Sequence, residues 1–194
     1  KKIFNYNFKI KKNEKVLIDG KSGAGKTTLF NILSGLIKNN KKEVLIDGRD
    51  IFSNLDSYWS IISYVSQSSF IFSGTLAYNI SLRKELTTKD EKKLKEIYDL
   101  LDFKNFISYE NFKYKEFNIF GDKISGGQKQ RVCLARAIFK SPLLLIIDEG
   151  LTGLDKKSEI KVLSNIIKYF PNLTLIASSH RPVKKLFDRT IEIK

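Results

Sequence analysis

The chain has 194 residues, the length of one domain with room for a hydrophobic core, and its apolar content of 42% is that of a globular protein. No uninterrupted apolar run approaches the roughly 20 residues that a membrane-spanning helix needs, which excludes an integral membrane bundle within these residues. The formal net charge of +14 raises nucleic acid or an anionic membrane surface as partners, but the lysines are dispersed (Lys11-Lys12, Lys41-Lys42, Lys92-Lys93, Lys156-Lys157, Lys184-Lys185), so a solvated surface is expected and no nucleic-acid partner. No secretory signal is visible, and the lone Cys133 cannot close an internal disulfide. It falls on the apolar side of a predicted helix, where it reads as core filler, and cytoplasmic chemistry is expected.

In chain order, Ile3 to Ile10 reads as a strand, and Lys15 to Asp19 as a buried one. A glycine-rich loop then leads into a helix carrying Leu29, Phe30, Ile32, Leu33 and Leu36 at helical spacing. Glu43 to Asp47 is a predicted strand ending in the Asp47-Gly48 turn signal. Ile61 to Ser66 is another, leading to Gln67. From about Thr75 to Lys140 the pattern is helical, with Thr88-Lys89-Asp90-Glu91 as a capping box opening an amphipathic helix through Leu94, Ile97, Leu100 and Leu101. After Pro142, strands at Leu143 to Ile147, Leu173 to Ser178 and Thr190 to Ile193 alternate with a helix from Asp155 to Phe170. Such alternation predicts an α/β fold with a mostly parallel sheet and ligands at the carboxyl ends of its strands. Residues 1–74 and 141–194 form the expected core, and residues 75–140 a helical subdomain.

Three motifs carry chemistry. Gly20-Lys21-Ser22-Gly23-Ala24-Gly25-Lys26-Thr27-Thr28 follows a strand and opens a helix, the context that a phosphate loop requires. Backbone N–H groups must converge on phosphate oxygens there, so side chains cannot intrude, and the helix N-terminus adds partial positive charge. Gly20, Ser22, Gly23, Ala24, Gly25, Lys26, Thr27 and Thr28 are therefore candidate nucleotide contacts, with Lys26 on the β- and γ-phosphates and the Thr27 hydroxyl on Mg²⁺. The second motif is the pair Asp148-Glu149, which ends an aliphatic run. A buried parallel strand explains the run but not two adjacent carboxylates, whose desolvation needs a partner. Mg²⁺ held by Asp148 supplies one, and Glu149 is placed to polarise an attacking water.

The third motif, Ser125-Gly126-Gly127-Gln128, precedes Lys129-Gln130-Arg131 and a helix with Val132, Leu134, Ala135, Ala137 and Ile138. A small hydroxyl and two glycines at a helix N-terminus form a second anion cradle. Two cradles in one chain need either two ligands or one ligand shared between two chains.

The three motifs in this order resemble the ATP-binding-cassette (ABC) family over nearly the whole chain. The resemblance implies a P-loop NTPase (RecA-like) core with an ABC-specific helical insertion, ATP and Mg²⁺ as ligands, and the shared-ligand arrangement: a head-to-tail dimer in which one copy's Ser125-Gly126-Gly127-Gln128 closes over ATP held by the other's phosphate loop. It also implies roles for Gln67, which would touch Mg²⁺ and the attacking water and face a membrane domain. His180 would be the switch histidine at the γ-phosphate, and Asp155, in Leu151-Thr152-Gly153-Leu154-Asp155, would sit in a loop crossing between subunits. Ile124 stands where leucine is usual. Gly150 and Gly153 replace small residues, commonly alanine, which would loosen that loop.

The stretch Ser69 to Ile80, with Phe72-Ser73-Gly74-Thr75 and Asn79-Ile80, looks like the surface of exporter-type cassettes that receives a coupling helix. Glu116 is a weaker match to the acidic residue of their cross-subunit loop. The resemblance thus implies an ATP-hydrolysing domain at the cytoplasmic face of the membrane, driving export through a transmembrane domain of the same chain or a separate subunit. A soluble ABC ATPase acting on ribosomes or nucleic acid is the alternative. The family's upstream adenine-stacking aromatic and its further C-terminal elements have no counterpart here, so a piece of a longer polypeptide is expected.

Overall fold

A computed structural model of the chain describes residues 7–38, 44–117, 124–179 and 183–193. His180, Lys41-Lys42 and the first part of the predicted Ile3 to Ile10 strand lie outside the described residues. The elements in chain order are β1 (Lys15–Asp19), α1 (Lys26–Leu33), β2 (Leu45–Ile46), β3 (Arg49–Asp50), α2 (Leu55–Ile61), β4 (Ile62–Val65), β5 (Gly74–Thr75), α3 (Leu76–Ser81), α4 (Thr88–Leu100), α5 (Tyr109–Tyr114), β6 (Glu116–Phe117), α6 (Gly126–Phe139), β7 (Leu144–Asp148), α7 (Lys156–Tyr169), β8 (Thr174–Ser178) and β9 (Arg189–Glu192). Contacts divide the chain into two compact units, residues 1–64, 142–149 and 172–194 in the first and residues 65–141 and 150–171 in the second.

The first unit is built on a five-stranded sheet in the order β4-β7-β8-β1-β9. β1 runs parallel to both β8 and β9, and β7 runs parallel to β8. Val16, Leu17, Ile18, Leu145, Ile146, Ile147, Leu175 and Ile176 are all buried, because a parallel sheet covered on both faces needs continuous aliphatic strands. Leu29 and Phe30 of α1 pack with Val16, Ile18, Ile146 and Ile176 in one cluster, and each fully buried side chain of this size contributes about 1.5–3 kcal/mol. This packing anchors α1, and with it the glycine loop, to the carboxyl end of β1. A close approach does the same from the other side: a methyl group on Gly20 would lie 2.6 Å from the Ile193 carbonyl oxygen.

Two predicted strands change form. The stretch around Glu43 to Asp47 gives only a two-residue strand, because Asp47 (φ 48°) and Gly48 (φ 79°) both turn left-handed between β2 and β3, the dihedrals of a type I′ hairpin. Residues 7–10 carry no regular structure, although Phe8 and Ile10 still pack on the sheet's core.

The second unit gathers α3 to α7 and the short antiparallel pair β5–β6. Its core includes Leu94, Ile97, Leu101, Phe103, Phe112, Leu134 and Ile138. Tyr98, Phe103 and Phe112 meet with ring centroids 5.0–6.2 Å apart. Buried Arg131 of α6 is satisfied by the carbonyls of Leu101 and Asp102, at 2.7 and 3.2 Å. The α4 capping box forms one residue earlier than its sequence pattern predicts. Thr87, not Thr88, is the cap, with the Asp90 carboxylate accepting the Thr87 N–H at 3.1 Å. Asp90 also takes the Arg83 guanidinium at 2.7 Å on each carboxylate oxygen, a partner that Glu91 lacks. α7 starts just after Asp155, as predicted, with Asp155 as its cap.

Candidate nucleotide site

The loop after β1 has the backbone that a phosphate cradle needs. Gly23 (φ 79°) and Gly25 (φ 96°) are left-handed, where a side chain would cost roughly 1–2 kcal/mol. Gly25 caps α1 and has no side chain to accept from the first N–H groups of that helix, whose positive end favours an anion. Ala24 is buried and its N–H donates to the Lys21 carbonyl, while Ser22, Thr27 and Thr28 are exposed. Lys26 is buried, and its Nζ folds back on the loop, donating to Gly20 O at 2.7 Å and Lys21 O at 3.3 Å. The same ammonium stands 3.8 Å from Glu149 Oε1.

The acids come from the end of β7, where parallel pairing sets Asp148 beside Ser178. Asp148 is only 1% exposed. Its Oδ1 accepts the Ser178 hydroxyl at 3.1 Å, while its Oδ2 is buried and meets no donor at hydrogen-bond geometry among the described residues, with the Tyr64 hydroxyl close enough to interact with the carboxylate. A buried carboxylate oxygen without a donor is unfavourable unless a ligand completes it, and a divalent cation fits. A single buried carboxylate oxygen is the kind of donor Mg²⁺ takes, since it binds one or two protein oxygens and shares the rest with phosphates and water. Glu149 has φ 50°, an uncommon left-handed backbone for a residue with a side chain, and its N–H donates to Ser178 Oγ at 3.0 Å. Tyr64 donates to Asn31 Oδ1 at 3.2 Å. Burial, followed by the nearby Asp148 charge, pushes its phenol up to about 12.

The second unit carries the other cradle. Ser125 caps α6 in a reciprocal box: its Oγ accepts the Gln128 N–H at 3.2 Å, and Gln128 Oε1 accepts the Ser125 N–H at 3.0 Å. Ser125 and Gly126 are exposed, and a methyl group on Gly126 would meet nothing within 4 Å. Gly127 is buried, and a methyl group there would lie 2.6 Å from the Gly153 carbonyl oxygen. Gly153 in turn donates its N–H to Gln130 Oε1 at 2.7 Å, and Gln130 Nε2 reaches the Thr152 hydroxyl at 3.3 Å. Gly153 therefore does not loosen its loop, as expected from the sequence; it lets the loop press against α6. Asp155 Oδ1 accepts the N–H groups of Lys157 and Ser158 at 3.0 Å, and the Ser158 hydroxyl first, with these N–H groups, holds its carboxyl below the usual range.

Residues 3–152 match the family described as ABC transporter. The chain belongs to that family.

This ABC domain is 33% identical over 183 residues to an ATP-dependent lipid A-core flippase of Methylobacillus flagellatus, an alignment covering 92% of this chain and 31% of the relative. It is 36% identical over 189 residues to a probable microcin-H47 secretion/processing ATP-binding protein, MchF, of Escherichia coli, covering 96% and 27% respectively. The solved structure of a bacterial Atm1-family ABC exporter with ATP bound superposes with a TM-score of 0.85 at 28% identity, covering 96% of this chain and 33% of that one. The ABC domain thus spans about a third of the length of these relatives. Its fold is the family's P-loop NTPase, and the family's activity is ATP binding and hydrolysis.

Within the first unit, the ABC domain brings Gly20, Lys26, Asp148 and Glu149 together; within the second it brings together Ser125, Gly126, Gly127 and Gln128. Gln67 is exposed, just past β4, and is assigned to the second unit. Cys133 is half-buried rather than core, with Sγ 3.4 Å from the Phe70 carbonyl oxygen. Sequence reasoning missed Ser178, whose only signal was its place at the end of a predicted strand. It also missed Asp19, which accepts the Gly20 N–H at 2.9 Å and the Lys184 ammonium at 2.7 Å. Lys184 holds the Asp19 carboxyl below its usual range, and so keeps a negative charge beside the phosphate loop compensated.

Proposed function

We propose that this domain hydrolyses ATP to drive export through a transmembrane domain, at the cytoplasmic face of the cell membrane. The two named relatives are a flippase and a secretion protein, which supports export. No described helix is long and apolar enough to cross a membrane, so in this reading the passage itself belongs to the transmembrane domain. The alternative of an ATPase serving ribosomes or nucleic acid finds no support in those two names.

By function, residues 1–74 and 141–194 carry the ATPase core, and residues 75–140 carry the insertion that ends in the second cradle. Gly20, Ser22, Gly23, Ala24, Gly25, Lys26, Thr27 and Thr28 hold the phosphates of ATP. Thr27, Gln67 and Asp148 would hold Mg²⁺, which neutralises charge on the phosphates when bound. Glu149 polarises the attacking water, and a general base of this kind contributes typically about 10²–10⁴ in rate. Gln67 and His180 complete the catalytic set around that water and the γ-phosphate. Ser125, Gly126, Gly127, Gln128 and Asp155 act on the ATP of a second copy in a head-to-tail dimer.

The observation that carries this reading is Gly126. Its helical backbone needs no glycine, no described residue comes within 4 Å of a methyl group placed there, and it stands exposed at a helix N-terminus. A ligand brought by another copy gives that position its reason to lack a side chain. The test is size-exclusion chromatography of Glu149→Gln with Mg·ATP. Retained nucleotide and a dimer are expected; a monomer with nucleotide bound would refute the shared site.

A further inference from the structure

Ser178 lies between the two acids and bonds to both. It is 3% exposed, in the middle of the sheet, paired in register with Asp148 on one side and Ile18 on the other. A serine hydroxyl has one proton to give, and an ionised carboxylate can only accept. The proton therefore goes to Asp148 Oδ1 at 3.1 Å, and a hydroxyl lone pair receives the Glu149 N–H at 3.0 Å. Glu149, at φ 50°, has left the extended backbone of β7, and the serine oxygen takes the place of a ladder acceptor for its amide. An aliphatic residue at 178 would take a hydrogen-bond partner from the Glu149 N–H and from the buried Asp148 carboxylate.

We infer that Ser178 is a positioning residue for both acids: it occupies Asp148 Oδ1, so that Oδ2 is the oxygen presented to a cation, and it pins the left-handed turn that sets Glu149 beside Lys26. The inference rests on the nucleotide reading above and adds a residue that acts through Asp148 and Glu149 rather than on ATP. Partners of a metal-holding carboxylate typically change metal affinity or activity about 10–100-fold when removed.

The experiment measures binding of a fluorescent ATP analogue to the purified chain, in EDTA and across a Mg²⁺ titration, for the unmodified protein, Ser178→Ala, Ser178→Thr and Lys26→Ala. Ser178→Ala should bind the analogue in EDTA as the unmodified chain does, yet need about 10–100-fold more Mg²⁺ to gain the metal-dependent part of its affinity. Ser178→Thr, which keeps the hydroxyl, should restore the Mg²⁺ midpoint. In steady-state hydrolysis the loss should fall on kcat at saturating nucleotide.

An unchanged Mg²⁺ midpoint in Ser178→Ala, with binding weakened in Lys26→Ala, would overturn the role of Ser178 and leave the nucleotide site standing. Undiminished binding in Lys26→Ala, or none in the unmodified chain with Mg²⁺, would overturn the nucleotide reading itself. If Ser178→Ala fails to fold, Ser178→Cys decides, since a thiol keeps the volume but donates weakly. A midpoint raised in Cys and normal in Thr supports the inference, and equal midpoints overturn it.

Discussion

Gly127 and Gly153 meet backbone to backbone: a methyl group on Gly127 would lie 2.6 Å from the Gly153 carbonyl oxygen, closer than any real contact of that kind. The approach holds the loop after β7 against the first turn of α6, and so couples the second cradle to the loop that leads to Asp155.

Gly127→Ala should therefore destabilise the fold by about 1–3 kcal/mol, the usual range for overpacking. Gly153→Ala is tight against Gln130 Oε1 and Gly127 N at 3.0 Å, and should cost less, because its nearest backbone atom is at 3.0 Å rather than 2.6 Å. Thermal unfolding of the two variants checks the order. Equal stability of Gly127→Ala and the unmodified chain would contradict the close packing.

Gly126→Ala should behave in the opposite way. Its methyl group would project into open space, and alanine is about 1 kcal/mol more favourable than glycine within a helix, so stability should hold or rise slightly. ATP-dependent dimerisation should nevertheless fall sharply, since the methyl group would intrude on a phosphate brought by another copy. Unfolding and chromatography on the same sample separate the two effects.

Lys26→Ala should weaken ATP binding by about 10–100-fold, the equivalent of one charged hydrogen bond of 1.5–3 kcal/mol. Fluorescence titration with an ATP analogue is the check. The ammonium donates to Gly20 O and Lys21 O, which hold it at the loop.

Thr87→Ala should cost about 1 kcal/mol of stability, the usual worth of a helix N-cap. The pH dependence follows from Asp90. The Thr87 N–H, first, with the Thr87 hydroxyl and Arg83, holds its carboxyl below the ordinary 3.8. A carboxyl lowered by folding stabilises the fold above its unfolded value, and that contribution is lost as pH falls from about 3.8 through the folded value. Urea midpoints should thus drop in acid, and less steeply for Asp90→Asn, which has no proton to take up.

Much of the candidate site can be read along the chain, because its geometry is local. A phosphate loop is a backbone conformation written in glycine spacing, and the strand before it and the helix after it declare themselves by burial pattern. Capping is also local, yet the box of α4 moved by one residue. Thr87 and Thr88 are chemically equivalent as caps; in the fold Asp90 closes the box on Thr87 and pairs with Arg83, while Glu91 pairs with Lys113 instead. The short β2–β3 hairpin follows from Asp47-Gly48, whose strong turn signal overrides the apolar run before it.

Spacing and residue type picked out Gly20 to Thr28, Asp148, Glu149 and Ser125 to Gln128 as candidate positions, and placed the chain among parallel α/β folds. They were silent on Ser178, which is 30 residues from Asp148 in the chain and becomes its neighbour only when β7 and β8 pair. They misjudged Gly153, because flexibility is the natural reading of a glycine in a loop. Packing makes it a point of contact instead, with Gly127 as the surface it meets. Local conformational preference travels with the sequence, whereas the partner that uses up a hydroxyl proton, or the carbonyl that leaves no room for a methyl group, is chosen by elements brought together across the fold.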